Sequence, residues 1–189
     1  MTKARLRTTL REQRQARPVE VRTSLAAPLA HRAMSELPLT PARVTCYRSL
    51  PTEPDTRVLL DLLFANGHAV WLPRIDGASL RWVRADATST YARGPLGIAE
   101  PEGPSDDDAL TKADVLLMPG LACDLDGHRL GQGGGYYDRA LAHIPSHAEG
   151  GPLRILLLHD DEVIDQVPVD DHDQAVDVVV TASRVIRFT

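Results

Sequence analysis

Between residues 43 and 73 the chain passes through two apolar, β-prone segments separated by one helical stretch, and this order constrains the fold more than any other feature. Residues 43–47 include Val44, Thr45 and Tyr47, types that suit a pleated strand, and the segment 49–54 that follows is rich in turn formers. Asp55 then stands as a cap before Val58, Leu59, Leu62 and Leu63, which recur at helical spacing until Gly67 supplies a stop. Residues 68–73 read as a buried strand. Two strands joined through a helix pair in parallel, because parallel neighbours need a long crossover.

Further apolar segments at 80–84, 115–118, 154–158 and 176–180 extend the sheet. Residues 86–108, dense in Pro, Gly, Ser and Asp, read as a long surface loop rather than a second domain. Upstream, residues 3–17 predict an amphipathic helix with Leu6 and Leu10 on one face and Lys3, Arg7 and Arg14 on another. A second helix is expected from Pro18 through Met34, kinked or divided at Pro28. The expectation is one α/β domain over residues 1–189 with a mainly parallel sheet.

Hydrophobic residues at 43% and charged residues at 25% exclude a disordered or fibrous class. A net charge of -5 argues against a dedicated nucleic-acid binder with a strongly basic face. Cys46 and Cys123 are far apart and form no metal or redox motif, so they read as reduced, buried thiols. No uninterrupted apolar run reaches the roughly 18 residues of a membrane span, and the N-terminus is charged. A cytoplasmic protein without membrane or nucleic-acid partners, acting as a monomer, is expected.

The most informative stretch is 129–138. Gly131, Gly133, Gly134 and Gly135 place four glycines within five positions, directly before a predicted helix. Such a loop can bring its N–H groups close to phosphate oxygens, the helix start adds partial positive charge, and Arg129 can add a bidentate contact. The pattern is neither a Walker A loop nor the dinucleotide fingerprint, and a glycine-rich turn also serves as a plain linker. Asp138, in the first helical turn, either complements the helix dipole or holds a magnesium ion bridging bound phosphates. Asp170, Asp171, Asp173 and Asp177 form a second acidic group, either a solvated turn or the source of a further metal ligand. The seven histidines show no zinc-like spacing.

The string from Met118 to Asp138, MPGLACDLDGHRLGQGGGYYD, resembles the signature of the 5-formyltetrahydrofolate cyclo-ligase family. Lys3 with Arg7 resembles its N-terminal Lys-x-x-x-Arg, the segment around Glu53 its central glutamate motif, and 97–101 its Gly-Ile-x-Glu-Pro. Residues 167–173 are similar to its late Pro-x-x-x-His-Asp stretch, so the resemblance runs through nearly the whole chain.

The resemblance implies a three-layer α/β/α domain, related to the fold of glucosamine-phosphate and ribose-phosphate isomerases and CoA transferases. It implies ATP and 5-formyltetrahydrofolate as substrates, Mg2+ as cofactor, and 5,10-methenyltetrahydrofolate, ADP and phosphate as products. Lys3, Arg7, Arg129, Gly131, Gln132, Gly133, Gly134, Gly135, Tyr136 and Tyr137 are the implied ATP contacts. Glu53, Arg48 and residues 132–136 are the implied folate contacts, with Asp138 and Asp173 as metal ligands and Asp177 as the fallback. The chain departs from the family at Gln132, where Arg, Lys or Tyr is common, at Gly134, where some members carry Lys, and at Cys123, a frequent Phe. Two competing readings stay open here: a binding module with weakened catalysis, and a sugar-phosphate isomerase on the related fold.

Overall fold

The computed structural model of the chain describes residues 2–170 and 173–188. Helix α1 (Lys3–Ala16) starts at Thr2, whose hydroxyl accepts from the Arg5 amide at 3.4 Å. Helix α2 (Val19–Ser35) runs through Pro28 as one element, so of the two expected outcomes, a kink or a division, the division does not occur. Pro28 sits on the solvent face, where water can satisfy the carbonyl that loses its helical donor.

The predicted crossover is present as β1 (Arg43–Thr45), α3 (Arg57–Ala65) and β2 (Ala69–Asp76), and β3 (Ser79–Ala85) turns back antiparallel on β2. The stretch expected as a loop contains the hairpin β4 (Tyr91–Arg93) and β5 (Ala99–Pro101). Next come β6 (Val115–Pro119), the short pair β7 (Ala122–Cys123) and β8 (Arg129–Leu130), and helix α4 (Tyr136–Leu141). Strands β9 (Leu153–Leu157), β10 (Val178–Val180) and β11 (Val185–Arg187) complete the chain.

The main sheet has the order β11-β10-β9-β6-β1-β2-β3. Its five inner strands are parallel, and the two edge strands are antiparallel. Side chains alternate across it, as strand geometry requires. Val115 and Leu117 of β6 join Leu29 and Ala33 of α2 and Leu59 and Leu63 of α3 in one core. Leu116 and Met118 face the other way, onto Leu141 of α4, Ile144 and Leu110. Helices therefore cover both faces of the sheet.

Helix α1 packs elsewhere. Leu6 and Leu10, each 4% exposed, lie on Leu121, Ala122 and Leu130 of the β7–β8 hairpin and on Val167. Burying each leucine stabilises the contact by roughly 1.5–3 kcal/mol. That seat turns the basic face of α1 toward the glycine loop. No helix among the described residues is long and apolar enough to cross a membrane.

Candidate functional site

After β1 the chain crosses to β2 on one side, and after β6 it crosses to β9 on the other, so strand order reverses between β1 and β6. Open parallel sheets form a crevice outside the carboxyl ends of the strands at such a point. Tyr47, just after β1, and Pro119, at the end of β6, line a cleft of about 140 Å3 there, together with Glu53, Arg129, residues 131–132 and residues 134–138.

The glycine loop faces this cleft with its amides open. Among the described residues no hydrogen bond is donated by the backbone N–H of any residue from 131 to 135. Gly133 (φ +101°) and Gly135 (φ +65°) adopt left-handed backbone that other residues resist, which is why the loop turns so tightly. Helix α4 is only six residues long, so the open amides, rather than the helix dipole expected from the sequence, make the loop attractive to an anion.

Cations approach the loop from two sides. Arg129 is 6% exposed; its Nη2 donates to Asp138 Oδ1, and its guanidinium lies 5.9 Å from the Tyr137 ring centre. Its Nε, with Tyr47 Oη and Tyr137 Oη, is buried without a hydrogen-bond partner among the described residues. Unsatisfied buried polar atoms are rare and call for an explanation. From α1, Arg7 Nε donates to the Gly131 carbonyl at 2.9 Å. Arg11, which sequence reasoning missed, donates through Nε to Gln132 Oε1 at 3.2 Å and through Nη2 to the Gln132 carbonyl. Its spacing of four from Arg7 was the available signal.

Lys3 Nζ lies 2.6 Å from Asp170 and 2.5 Å from Asp173. Burial works against its charge, but the bonds to these carboxylates win and raise its pKa. Asp138 and Asp173 thus each hold a cation of the predicted phosphate-binding set. They are hard oxygen donors of the kind that bind magnesium through one or two carboxylates plus phosphates and water, so the residues present fit that ion. Asp177, the fallback ligand, is placed differently. It accepts from the Arg154 amide at 2.7 Å, at the amino ends of β9 and β10, whereas the cleft lies at the carboxyl ends. Asp171 and His172 of the late motif lie outside the described residues.

Opposite the loop stands Glu53, 5% exposed. Its Oε2 accepts from the Leu50 amide at 2.8 Å and its Oε1 from Gln132 Nε2 at 3.3 Å. Burial pushes its pKa up, against the downward pull of the Leu50 amide, Arg14 and Gln132. A buried carboxylate facing an apolar wall of Leu80 and Ile75 suits a flat, polar-edged ring. Arg48 does not join it. Its guanidinium stacks 4.3 Å from the Tyr91 ring centre, facing a neighbouring pocket.

Arg14 also departs from expectation. Rather than sharing the solvated basic face, it is 1% exposed, paired with Glu162 at 2.6 and 2.8 Å and donating to the Gly120 carbonyl at 2.5 Å. Glu162 accepts in turn from the His159 amide at 2.9 Å, and the His159 ring lies 3.4 Å from the Thr52 carbonyl. This network ties α1 to the loops after β1, β6 and β9 and so holds the cleft's walls together. Cys46 and Cys123 are buried, and burial pushes each thiol up to about 12, so both serve packing.

Comparison with known proteins adds three likenesses. Residues 1–182 match the model of the 5-formyltetrahydrofolate cyclo-ligase family. The chain is 35% identical over 190 residues to the 5-formyltetrahydrofolate cyclo-ligase of Mycolicibacterium smegmatis, covering 97% of this chain and 95% of that one. It is 32% identical to the Escherichia coli protein of the same name, with 93% and 98% covered. The NMR structure of Aquifex aeolicus 5,10-methenyltetrahydrofolate synthetase superposes with a TM-score of 0.82 at 29% identity, over 99% of this chain and 93% of that one.

Proposed function

The chain belongs to the 5-formyltetrahydrofolate cyclo-ligase family and is a ligase of folate one-carbon metabolism that converts 5-formyltetrahydrofolate to 5,10-methenyltetrahydrofolate at the expense of ATP; from that premise we propose how its residues share the work. The open amides of residues 131–135, with Arg129 beside them and Lys3, Arg7 and Arg11 behind, hold the triphosphate. Glu53 holds the amino-pyrimidine edge of the pterin as a carboxylate accepting paired hydrogen bonds. Asp138 and Asp173 hold Mg2+, which when bound neutralises phosphate charge. The enzyme works as a cytoplasmic monomer.

The formyl oxygen attacks the γ-phosphorus; an O–P bond forms, the bond to the β-phosphate oxygen breaks and ADP leaves. N10 then attacks the formyl carbon and gives up its proton to water, the C–N bond closes the ring, and the C–O bond breaks with loss of phosphate. Such phosphoryl transfer asks mainly for alignment and charge neutralisation. A neutral Gln132 is compatible with it because Arg11 brings a guanidinium to that position from α1.

The observation that carries this reading is the row of undonated amides set between the Arg129–Asp138 pair and the buried Glu53. Purified protein incubated with 5-formyltetrahydrofolate, ATP and magnesium should form the methenyl product, followed by its ultraviolet absorbance. Ligand binding without product would leave a binding module instead.

A further inference from the structure

Three residues lining the cleft each bury a polar atom that has no hydrogen-bond partner among the described residues: Arg129 Nε, Tyr47 Oη and Tyr137 Oη. Arg129 and Tyr137 fall within the implied triphosphate contacts, and their guanidinium and ring lie 5.9 Å apart. Tyr47 falls outside both implied contact sets. It is 3% exposed and stands just after β1, six residues before Glu53. Its backbone is fixed: the buried Thr56 hydroxyl donates to the Tyr47 carbonyl at 2.7 Å, and the preceding Cys46 amide donates to the Trp71 carbonyl at 2.9 Å.

Leaving a buried hydroxyl unmatched costs about 1–3 kcal/mol. Phenylalanine would fill the same volume without that cost, so an orphaned phenol in a binding cleft calls for a partner that arrives with the ligand. The proton defines that partner. Burial, reinforced by the Glu53 carboxylate, holds the Tyr47 phenol well above its usual range, so it keeps its proton and can donate. An ionised Glu53 can only accept. The nearby donors of Gln132 Nε2 and the Leu50 amide are already taken by Glu53 itself. Together the two side chains therefore present one donor beside one acceptor.

The cyclo-ligase reading, on which this inference rests, supplies a ligand with the matching edge. The pterin carries donors at its 2-amino group and N3, which Glu53 accepts, and the acceptor O4 on the next ring carbon. We propose that the Tyr47 hydroxyl donates to O4 and thereby determines specificity for a 4-oxo ring. The free protein carries the unmatched hydroxyl, and the folate complex relieves it.

Tyr47→Phe removes the hydroxyl and keeps the ring. Because the hydroxyl is unpartnered in the free protein, the variant should melt at or above the wild-type temperature, while the folate KM rises roughly 3- to 20-fold with kcat and the KM for ATP unchanged. Pterin and its 4-thioxo analogue, which keeps the N3–H but is a weaker acceptor, locate the bond. As competitors of 5-formyltetrahydrofolate, the oxo compound should bind the wild type roughly 3- to 20-fold more tightly, and the variant should treat the two nearly alike. An oxo preference that survives the substitution, or an unchanged folate KM with turnover intact, overturns the role of Tyr47 and leaves the enzyme assignment standing. A lower Tm with both KM values raised assigns the hydroxyl to the fold and overturns that role too. No methenyl product from the wild type overturns the enzyme assignment and this inference with it.

Discussion

Arg14 and Arg11 lie three residues apart on one helix, carry the same side chain, and do opposite things. Arg14 is 1% exposed and locked in a bidentate pair with Glu162. Arg11 is exposed and its guanidinium donates, among the described residues, to the side chain and carbonyl of Gln132, groups that an incoming phosphate can outcompete. Burial therefore decides which arginine is framework and which is available to ligand. A buried guanidinium cannot leave its partner without stranding a charge, whereas an exposed one exchanges contacts cheaply. Arg129 stands between them: buried like Arg14, but with its partner Asp138 on the cleft wall.

The largest expected effect breaks the framework end. Arg14→Ala leaves the buried Glu162 with only the more distant Arg17, 3.9 Å away, among the cations of the described residues, which should cost up to about 3–5 kcal/mol. For a chain of this length that corresponds to a fall in Tm of roughly 6–20 °C, read by thermal melting. Replacing Arg14 and Glu162 together by Met and Leu should restore most of it; equal melting of Arg14→Ala and wild type would erase the contrast with Arg11.

Asp138→Ala strikes the intermediate pair. It should reduce kcat roughly 10²- to 10³-fold and lower Tm by less than Arg14→Ala does, because Arg129 loses its carboxylate but Asp138 is partly exposed, so water reaches that side of the pair. Full activity in this variant would remove Asp138 from the catalytic set.

The contrast also marks what the sequence can disclose. The glycine loop and Asp138 stood out in the sequence because they are residue types at fixed spacing within one short segment, whereas Glu53 entered only through the family resemblance. The parallel core was legible because its strands are long enough to show an apolar run. The β7–β8 pair is two residues per strand and has no period to detect, and β4 and β5 were hidden by the turn formers around them. Burial of Arg14 was invisible for another reason. Its partner Glu162 is 148 residues away, and the spacing that puts Lys3, Arg7 and Arg14 on one face does not say which end of that face is covered.

Glu53 sharpens the comparison from the acidic side, since it too is buried yet faces ligand. Burial raises its pKa, so protonation begins at a higher pH than for an exposed glutamate, near 4.3 in model peptides. Only the carboxylate accepts both pterin hydrogen bonds, so kcat/KM for the folate should fall on acidification with a limb above that value. Glu53→Gln should abolish this limb and raise the folate KM roughly 10- to 150-fold. An unshifted limb in that variant would assign it to another group.

The smallest effect tests the ligand-side end itself. Arg11 is exposed and has no carboxylate partner among the described residues, so Arg11→Ala should leave the melting temperature unchanged. Its contribution to phosphate binding is that of a screened surface charge, so the KM for ATP should rise only about 1.5- to 5-fold, and less at high ionic strength. Moving the cation rather than deleting it gives the sharper measurement. In Arg11→Gln combined with Gln132→Arg the charge sits on the loop instead of the helix, and the KM for ATP should return toward that of the wild type. If the double variant stays as impaired as Arg11→Ala, the helix position itself, and not the charge beside residue 132, is what ATP requires.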